Sequence, residues 1–366
     1  MKIGIDISQV IYEGTGVGRF TTGLVEAIIK YAKHEDEWVF FLSSFRRNIS
    51  TDLMKLIESS SHKFIKWPVP PRLLSVFFNE YRDASKSLLP LKSLNELDWF
   101  ISSDWTEPPL KTKKATIVHD LVFKRYPETV EKNILKTQEL RLKWVKKESR
   151  LIFCDSKVTA CDLQKYYSIP ETKLIVNYPG VEILKIPEGE NVIEKYNITA
   201  PFILTVGKRE PRKNLDRLIK AYQKIESDKP TLVIVGEKGW GTTNTEEKNI
   251  IYLGFVPDND LVELYRSCLF LIMPSLYEGF GYPVIEAMLA GCPVATSDTS
   301  SLSEITKGAA HLFDPNNTDS INMALLRMSR DKALRSSLID KGRVVGATYS
   351  WARYYNTLIS SLKHRL

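Results

Sequence analysis

The chain of 366 residues has little of what would mark a metal site, a disulfide framework or a membrane span. Its four cysteines form no CxxC pair, and the whole chain has five histidines. We therefore expect reduced thiols, as in a cytosolic protein, and neither a zinc site nor disulfides. No apolar run approaches the roughly 20 residues of a spanning helix, and the one at the N-terminus is too short for a signal peptide.

The composition is that of a folded protein with two domains. Hydrophobic residues make up 43% of the chain and charged residues 26%, which is ordinary for a globular protein and excludes disorder or collagen. The length exceeds that of one usual domain and is enough for two domains with their own cores.

The net charge of +7 is concentrated in the first half of the chain. Residues 1–175 contain 28 Lys and Arg against 22 Asp and Glu, and the remainder contains 23 against 22. Such a surplus is either a solvated surface or an attraction to an anionic partner, such as a membrane face or a phosphate-bearing acceptor. Because the chain has no zinc-finger, RNP or helix-turn-helix signature, we expect no nucleic-acid partner.

Short apolar runs alternate with amphipathic segments along the chain, a pattern typical of parallel sheets buried on both faces. We predict two doubly wound, Rossmann-like α/β domains. The predicted strands are 2–7, 38–43, 63–67, 98–102, 115–118, 151–154, 174–177, 202–206, 232–235, 250–253, 269–273, 293–296 and 311–313. The predicted helices are 17–33, 72–88, 131–148, 157–168, 214–226, 258–267, 282–290, 318–329, 331–347 and 349–363.

Prolines and glycines interrupt the pattern between residues 179 and 200, which predicts a linker there. The domains are therefore predicted at 1–182 and 190–348. The last segment, 349–366, carries an amphipathic helix that no strand follows, so it could cap either domain. We predict that it packs back onto the first.

Ligands of open parallel sheets bind beyond the carboxyl ends of the strands, so polar residues after each strand are the candidates. GTGVGR (14–19) opens a helix, where glycine amides can approach an anion or simply make a turn. His119 directly follows the strand ATIV and could donate a hydrogen bond to a sugar hydroxyl. The alternative is a structural histidine bonded to the backbone.

A basic loop, GKREPRKN (207–214), lies between a strand and a helix start. It places Lys208, Arg212 and Lys213 beside a glycine, and Asn214 can cap the helix. Cations at a helix N-terminus favour a diphosphate, whereas the alternative is a solvated basic loop.

Two carboxylates, Glu278 and Glu286, stand eight residues apart in the segment 274–298. Gly279 and Gly281 at a helix start can aim backbone N–H groups at phosphate. Glu286 lies one turn into that helix, where it can accept hydrogen bonds from a ribose diol. The pair could alternatively be the acid and nucleophile of a glycosidase.

Asp258 and Asp260 form a D-x-D pattern that resembles a metal–nucleotide motif. Because they open a predicted helix, we interpret them as its N-cap and expect no metal site.

An apolar stretch with basic borders, RLLSVFFNEYRDASKSLLPL (72–91), is a core helix or a contact with a lipid-linked acceptor at the membrane. The basic helix at 132–150 could add electrostatic attraction to that surface, although solvated helix faces often look like this.

These motifs, in this order, resemble the retaining glycosyltransferases of the GT-B fold, in the large family numbered four, within its mannosyltransferase-like branch. The resemblance is collinear over nearly the whole chain, and Glu278 and Glu286 match the E-x7-E arrangement of that family. The matching segments are GTGVGR, IVHDL (117–121), NYPGV (177–181), VGKREPRKNLDRLIKAY (206–222), VGEKGWG (235–241), YLGFVPDNDLVELY (252–265) and YEGFGYPVIEAMLAGCPVATSD (277–298).

The resemblance implies two Rossmann-like domains facing across a cleft, with a nucleotide-diphospho-sugar on the second and the acceptor mainly on the first. Lys213, with Arg212 or Lys208, would neutralise the leaving diphosphate, although relatives usually carry Arg in place of Lys208. The other implied contacts are Gly16, Gly279, Phe280 and Gly281 to phosphate, Glu286 to ribose, and Glu278 and His119 to the donor sugar.

The same resemblance implies transfer with retention of configuration and without a metal cofactor. It favours GDP-mannose as donor, then a UDP-sugar, and a glycan or lipid-linked glycan acceptor in surface polysaccharide synthesis. The expected location is the cytoplasm, with peripheral contact at the inner membrane face through the basic first domain. A non-catalytic, sugar-nucleotide-binding subunit of a transferase complex is the alternative.

Overall fold

The computed structural model describes residues 1–12, 14–85, 93–102, 105–182, 191–240 and 247–365. The chain forms two compact units, one of residues 1–180 with 350–366 and the other of residues 181–349. The final helix thus belongs to the first unit. None of the described helices is long and apolar enough to span a bilayer.

The first unit is built on a seven-stranded sheet in which every neighbouring pair is parallel. The order is β3-β2-β1-β4-β5-β6-β7, so the direction of strand addition reverses between β1 and β4. The strands are β1 (Lys2–Asp6), β2 (Glu37–Ser43), β3 (Lys63–Trp67), β4 (Trp99–Ser102), β5 (Lys113–Val118), β6 (Leu151–Cys154) and β7 (Leu174–Val176).

The helices of the first unit alternate with these strands. Single 3₁₀ turns at Ser8–Ile11, Pro127–Thr129 and Glu171–Lys173 complete the connections. The helices are α1 (Gly16–Tyr31), α2 (Thr51–Ser59), α3 (Pro71–Asn79), α4 (Arg82–Ser85), α5 (Val122–Arg125), α6 (Lys132–Glu148), α7 (Lys157–Tyr167) and, from the C-terminus, α15 (Trp351–Lys363).

The second unit repeats the architecture with a parallel six-stranded sheet in the order β10-β9-β8-β11-β12-β13. Here the direction reverses between β8 and β11. The strands are β8 (Phe202–Val206), β9 (Thr231–Val235), β10 (Ile250–Gly254), β11 (Phe270–Met273), β12 (Val294–Ser297) and β13 (His311–Phe313).

The helices of the second unit cover its sheet, and a 3₁₀ turn at Pro211–Lys213 precedes α9. The core between them is almost wholly aliphatic and aromatic, with Tyr222 and Phe270 fully buried. The helices are α8 (Val192–Lys195), α9 (Leu215–Gln223), α10 (Asp258–Ser267), α11 (Tyr282–Ala290), α12 (Ser300–Thr306), α13 (Thr318–Arg330) and α14 (Lys332–Gly346).

The prediction of two doubly wound α/β domains is confirmed, and each predicted strand overlaps an observed one. Four short helices of the described part were not predicted: α2, α5, α12 and α8, the last of which lies inside the predicted linker. Each has nine residues or fewer, too few to repeat an apolar face clearly.

The predicted helix 72–88 is interrupted. It is observed as α3 and α4 with a break at Glu80 and Tyr81, and residues 86–88 lie outside the described part. Leu74 and Phe78 are buried in the core, whereas Leu73 and Phe77 are exposed on the opposite face of α3. The prediction of a core helix is therefore right for one face only.

The side chain of Trp351 holds α15 against the rest of the first unit. It packs with Phe20 at 5.6 Å and Tyr354 at 5.5 Å between ring centroids. Gly23 of α1 and Gly180 lie directly against the indole, so that a Cβ on either would come within 2.3 and 2.4 Å of Trp351 atoms. Only glycine lets both backbones approach this ring.

We predict that Gly23→Ala destabilises the first unit. The added methyl group would overlap the Trp351 indole, and overpacking of this kind costs about 1–3 kcal/mol. Gly16→Ala in the same helix is the control, since no described residue comes within 4 Å of its Cβ position. Urea unfolding followed by tryptophan fluorescence compares the two, and equal free energies of unfolding would contradict the prediction.

Candidate active site

The candidate site in the second unit lies where the order of the sheet reverses. Strands β8 and β11 are neighbours in the sheet although β9 and β10 separate them in the chain. Their carboxyl ends lead into the loops 207–214 and 274–281. Loops that leave adjacent strands at such a switch point open a crevice between them, and ligands of doubly wound sheets bind there.

The two loops meet through one buried carboxylate, that of Glu278. Its Oε1 lies 2.6 Å from Lys213 Nζ and its Oε2 lies 2.7 Å from Arg212 Nη1. The side chains of Lys213 and Glu278 are 11% and 9% exposed. Each carboxylate oxygen thus has its own cation, in a place that excludes most water.

Burial alone would raise the pKa of the Glu278 carboxyl. The charges of Arg212 and Lys213 outweigh that effect and lower the pKa to about 2. Glu278 is therefore an anion at neutral pH.

The backbone before α9 aims Lys213 at this point. Gly207 has φ +146°, and a Cβ there would come within 3.0 Å of Lys213 Cε. Asn214 is left-handed with φ +58°, and its side-chain amide donates to the carbonyl oxygens of Pro274 (3.0 Å) and Pro315 (2.8 Å). Asn214 occupies the N-cap position of α9, as predicted, but its side chain makes no capping hydrogen bond there and instead joins three loops.

Lys208 stands apart from the buried cations. Its Nζ lies 3.8 Å from Glu210 Oε1 and 5.3 Å from the centre of the Trp240 ring, and its side chain is 52% exposed. Glu210 also accepts from Arg212 Nε at 3.3 Å. Glu210 was not singled out from the sequence, because a single acidic residue inside a basic loop gives no pattern.

The backbone at Phe280 and Gly281 is fixed from the neighbouring helix α12. The hydroxyl of Ser301 donates to the carbonyl oxygens of Glu278 and Phe280, each at 2.8 Å. Gly281 has φ +108°, and a Cβ there would come within 2.7 Å of the Leu302 side chain. This conformation directs the chain into α11, whose N-terminus follows immediately.

The side chain of Phe280 is 4% exposed and packs against Tyr282 and Tyr349, at 5.3 and 5.5 Å between ring centroids. Gly279 is buried as well. Any contact of this segment with a ligand is therefore made by its backbone.

Glu286, on α11, is 7% exposed and accepts a hydrogen bond from the Tyr265 hydroxyl at 3.1 Å. Tyr265 lies on α10, so the two helices share this contact. The sequence motif contains Tyr265 but gave no reason to assign it a role, since helical tyrosines at this spacing are ordinary core residues.

The first unit places His119 at the carboxyl end of β5, beside Asp155 at the end of β6. His119 Nδ1 lies 2.7 Å from Asp155 Oδ2, and the imidazole packs edge-on against Phe20 at 4.6 Å. A carboxylate only accepts hydrogen bonds, so a neutral His119 ring carries its proton on Nδ1. Its Nε2 is then a hydrogen-bond acceptor. The histidine is oriented by a carboxylate rather than by backbone alone.

Gly16 is exposed at the first position of α1. Thr15 is the N-cap, and its hydroxyl accepts from Gly18 N at 3.0 Å. Gly18 is the closely packed residue of this loop, since a Cβ on it would come within 2.3 Å of the Tyr12 carbonyl oxygen.

The D-x-D residues open a helix, as predicted, but Asp258 is its first residue and not its cap. Pro257 occupies the N-cap position of α10. Asp260 pairs with Lys195 at 3.0 Å and accepts from the Tyr196 hydroxyl. Across the described residues, no group of three His, Cys, Asp or Glu side chains is arranged to hold a metal ion.

We predict that Glu278→Gln reduces stability in a pH-dependent way. The folded pKa of about 2 lies below the ordinary 4.5, so ionised Glu278 stabilises the fold above about pH 4.5, and this stabilisation is lost as the pH falls toward about 2. The difference in free energy of unfolding between wild type and variant is therefore largest at neutral pH and shrinks over that window.

Urea titrations at a series of pH values measure this difference. Glu226→Gln, at an exposed position of the same unit, is the control and should differ little from wild type throughout. A Glu278→Gln difference that stays constant from neutral pH to about pH 3 would contradict the assignment.

Comparison with known proteins shows which family model this chain matches and which fold it shares. Residues 190–345 match the family model described as "Glycosyl transferases group 1". The chain is 27% identical to O-antigen chain mannosyltransferase B of Escherichia coli over 386 aligned residues, which cover 99% of this chain and 100% of that protein. Many solved structures share the fold.

Sucrose-phosphate synthase from Thermosynechococcus elongatus aligns over 100% of both chains with a TM-score of 0.74 and 18% identity. HepE from Anabaena, solved with UDP and glucose, also aligns over 100% of both chains, with a TM-score of 0.74 and 15% identity. The chain described here, with its two parallel-sheet units, has the GT-B fold. Its residues 190–345 form a domain of the glycosyl transferases group 1 family.

Proposed function

We propose that the protein is a retaining glycosyltransferase that moves a sugar from a nucleotide-diphospho-sugar to a glycan or lipid-linked glycan acceptor during surface polysaccharide synthesis. The observation that carries the proposal is the buried cluster of Arg212, Lys213 and Glu278 at the switch point of the second sheet. The group 1 domain and the likeness to an O-antigen mannosyltransferase support it.

The cluster suits a diphosphate because two cations converge where one anionic group already binds. Buried charges interact more strongly than exposed ones, since little water screens them. A diphosphate offers anionic oxygens of the same kind as those of Glu278, so it can share Arg212 and Lys213. The backbone N–H groups of Phe280 and Gly281, just before α11, would add neutral donors.

The pKa of Glu278 argues against this residue as the acid of the glycosidase alternative. A glycosidase acid must hold a proton near neutral pH, whereas the Glu278 carboxyl, with a pKa of about 2, is ionised there. In the proposed reaction it holds the two cations in place and accepts from a hydroxyl of the donor sugar.

The bond from the sugar C1 to the diphosphate oxygen breaks, and its electron pair goes to that oxygen. Lys213 and Arg212 offset the charge that develops there. The acceptor hydroxyl forms the new bond to C1 from the same face, and its proton passes to the departing phosphate. Glu286 would hold the ribose and His119 would contact the sugar through Nε2. The chain supplies position and charge.

Our proposals for the donor and the acceptor are based on what the relatives are named for. GDP-mannose is proposed first because the relative aligned end to end is a mannosyltransferase, and a UDP-sugar second because HepE was solved with UDP-glucose. A Campylobacter jejuni relative, 29% identical over 53% of this chain, is named for transfer to a diphospho-undecaprenol-linked glycan. We propose a lipid-linked acceptor on this basis.

A cytoplasmic location is proposed as well, and the four free cysteines fit a reducing compartment. Thermal shift with GDP, UDP, ADP and their sugars tests the donor. A ligand at 100 times its Kd adds about 2.7 kcal/mol of stability. Release of nucleotide from the selected sugar donor in the presence of acceptor separates an enzyme from a non-catalytic binding subunit.

We predict that Lys213→Ala lowers turnover by two to three orders of magnitude. Loss of one group that stabilises developing charge typically costs about 3–4 kcal/mol of transition-state stabilisation. Lys220→Ala, at an exposed position of α9, is the matched control and should keep wild-type turnover. Thermal unfolding establishes that both variants are folded, and near-normal turnover of a folded Lys213→Ala protein would contradict the role of this lysine.

We also predict full transfer in excess chelator, with an α-configured donor giving an α-linked product. Arg212 and Lys213 supply the charge that a divalent cation would otherwise supply. Product NMR after reaction in EDTA measures both properties. Loss of activity in EDTA that Mn²⁺ restores would contradict the charge argument, and a β-linked product would contradict retention.

A further inference from the structure

Helices α10 and α11 of the second unit meet through a polar contact inside an apolar interface. The Tyr265 hydroxyl donates to Glu286 Oε2 at 3.1 Å, and the two residues are 1% and 7% exposed. Buried apolar neighbours on the same two helices are Leu261, Val262, Leu264, Val284, Ile285 and Met288. The contact therefore brings a phenol and a carboxylate together where little water reaches.

The stability of the fold does not explain this pair. Burying a carboxylate costs free energy, because the anion loses its hydration. A hydrogen bond from a neutral phenol offsets only part of that cost. Two apolar side chains of similar volume would fill the same interface without it. The pair is better explained by a ligand that Glu286 binds.

The position of Glu286 along α11 suits the ribose of a nucleotide. Glu286 is the fifth residue of this helix, which begins directly after Gly281. At 1.5 Å per residue, it lies about 7 Å further along the axis than the backbone N–H groups proposed for the diphosphate. Because the ribose of a nucleoside diphosphate is joined directly to that diphosphate, it comes within reach of Glu286.

Tyr265 supplies what a glutamate alone lacks, a fixed orientation of its carboxylate. The last side-chain torsion of a glutamate is broad, so its carboxylate plane rotates easily. The hydrogen bond to Oε2 restricts that rotation in Glu286. A carboxylate has about four acceptor positions, so accepting from the phenol does not prevent it from accepting from two neighbouring hydroxyls.

Contacts on both helices hold the phenol and the carboxylate close to each other. The Tyr265 carbonyl oxygen accepts from Cys268 Sγ at 3.4 Å, and Cys268 Sγ lies 3.3 Å from Cys292 Sγ. Cys292 N in turn donates to the carbonyl oxygen of Ala287, the residue after Glu286, at 2.9 Å. The C-terminal end of α10 is thus joined to the end of α11.

We propose that Tyr265 is a positioning residue for the donor nucleotide. It orients the Glu286 carboxylate toward the 2′- and 3′-hydroxyls of the ribose, so that the protein selects nucleotides that carry this diol. Tyr265 is buried and acts through Glu286, without touching the nucleotide. The inference rests on the proposed function, since it takes a nucleotide as the ligand of the site.

Calorimetric titration of the full chain with GDP and with 2′,3′-dideoxy-GDP tests the proposal. The corresponding UDP pair replaces them if UDP gives the larger thermal shift. Wild type should bind GDP at least about tenfold more tightly than the dideoxy analogue, because two hydrogen bonds to a carboxylate are lost with the diol.

Tyr265→Phe keeps the ring and removes only the hydroxyl. This variant should bind GDP about three- to tenfold more weakly than wild type, the range for the loss of one hydrogen bond. Its affinity for 2′,3′-dideoxy-GDP should be that of wild type, since this ligand has no diol for Glu286 to meet. With the sugar donor, its KM should rise by a larger factor than its kcat falls, because the ribose lies away from the bond that breaks.

Tyr222→Phe is the matched control. Tyr222 is another fully buried tyrosine of the second unit, but its hydroxyl donates to the Pro230 carbonyl oxygen at 2.7 Å. This variant should bind both nucleotides like wild type. Glu286→Ala should bind GDP and its dideoxy analogue equally, and adding Tyr265→Phe to it should change neither Kd, because the two residues act as one unit.

Three results would overturn the proposal. If Tyr265→Phe weakens GDP and 2′,3′-dideoxy-GDP by the same factor, or weakens neither, the tyrosine has no part in recognising the diol. If wild type binds GDP but does not distinguish it from the dideoxy analogue, the inference fails while the proposed function stands, and this comparison needs no variant. If wild type binds none of GDP, UDP and ADP, both fail.

Discussion

The candidate site depends on one buried carboxylate. Glu278 lies between Arg212 and Lys213, at 2.7 and 2.6 Å, in a region with little water. Two cations placed there without an anion would repel each other and lose their hydration, which is costly for buried charges. The carboxylate lowers the energetic cost of burying the two cations before any ligand binds. The same interaction lowers the pKa of Glu278 to about 2. An anionic ligand can then share cations that are already in position.

That contact exists because of the order of the strands. Strands β8 and β11 are adjacent, but the chain continues from them toward opposite edges of the sheet. The loops that follow the carboxyl ends of these two strands therefore face each other. Asn214, which bonds to the carbonyl oxygens of Pro274 and Pro315, fixes one loop to the other, and Ser301 fixes the backbone on the far side of Glu278. Rigid loops of this kind hold charged groups within a narrow range of positions, which electrostatic stabilisation requires.

The first unit uses the same sheet architecture for different surfaces. At the carboxyl ends of its strands it presents His119, oriented by Asp155. Near the amino ends of β5 and β6 it presents a cleft whose lining includes Lys111, Lys147 and Arg150. The helix α15 closes this unit through Trp351, and the glycines at 23 and 180 allow that contact. The carboxyl ends and the amino ends of one parallel sheet thus carry different polar groups.

The sequence by itself determined the strands, most helices and the loops that carry the candidate site residues, because apolar runs and glycine-rich turns are local signals. It also singled out Arg212, Lys213, Glu278, Glu286 and His119. Only the tertiary structure decided which of these meet: Lys213 with Glu278, 65 residues later, and His119 with Asp155, 36 residues later. It also decided that the Asn214 side chain bonds to two other loops and not to the helix that Asn214 begins, and that Tyr265 and Glu210 contact the candidate site residues. Such pairings depend on strand order and burial, which bring distant residues together and leave no periodic pattern in the chain.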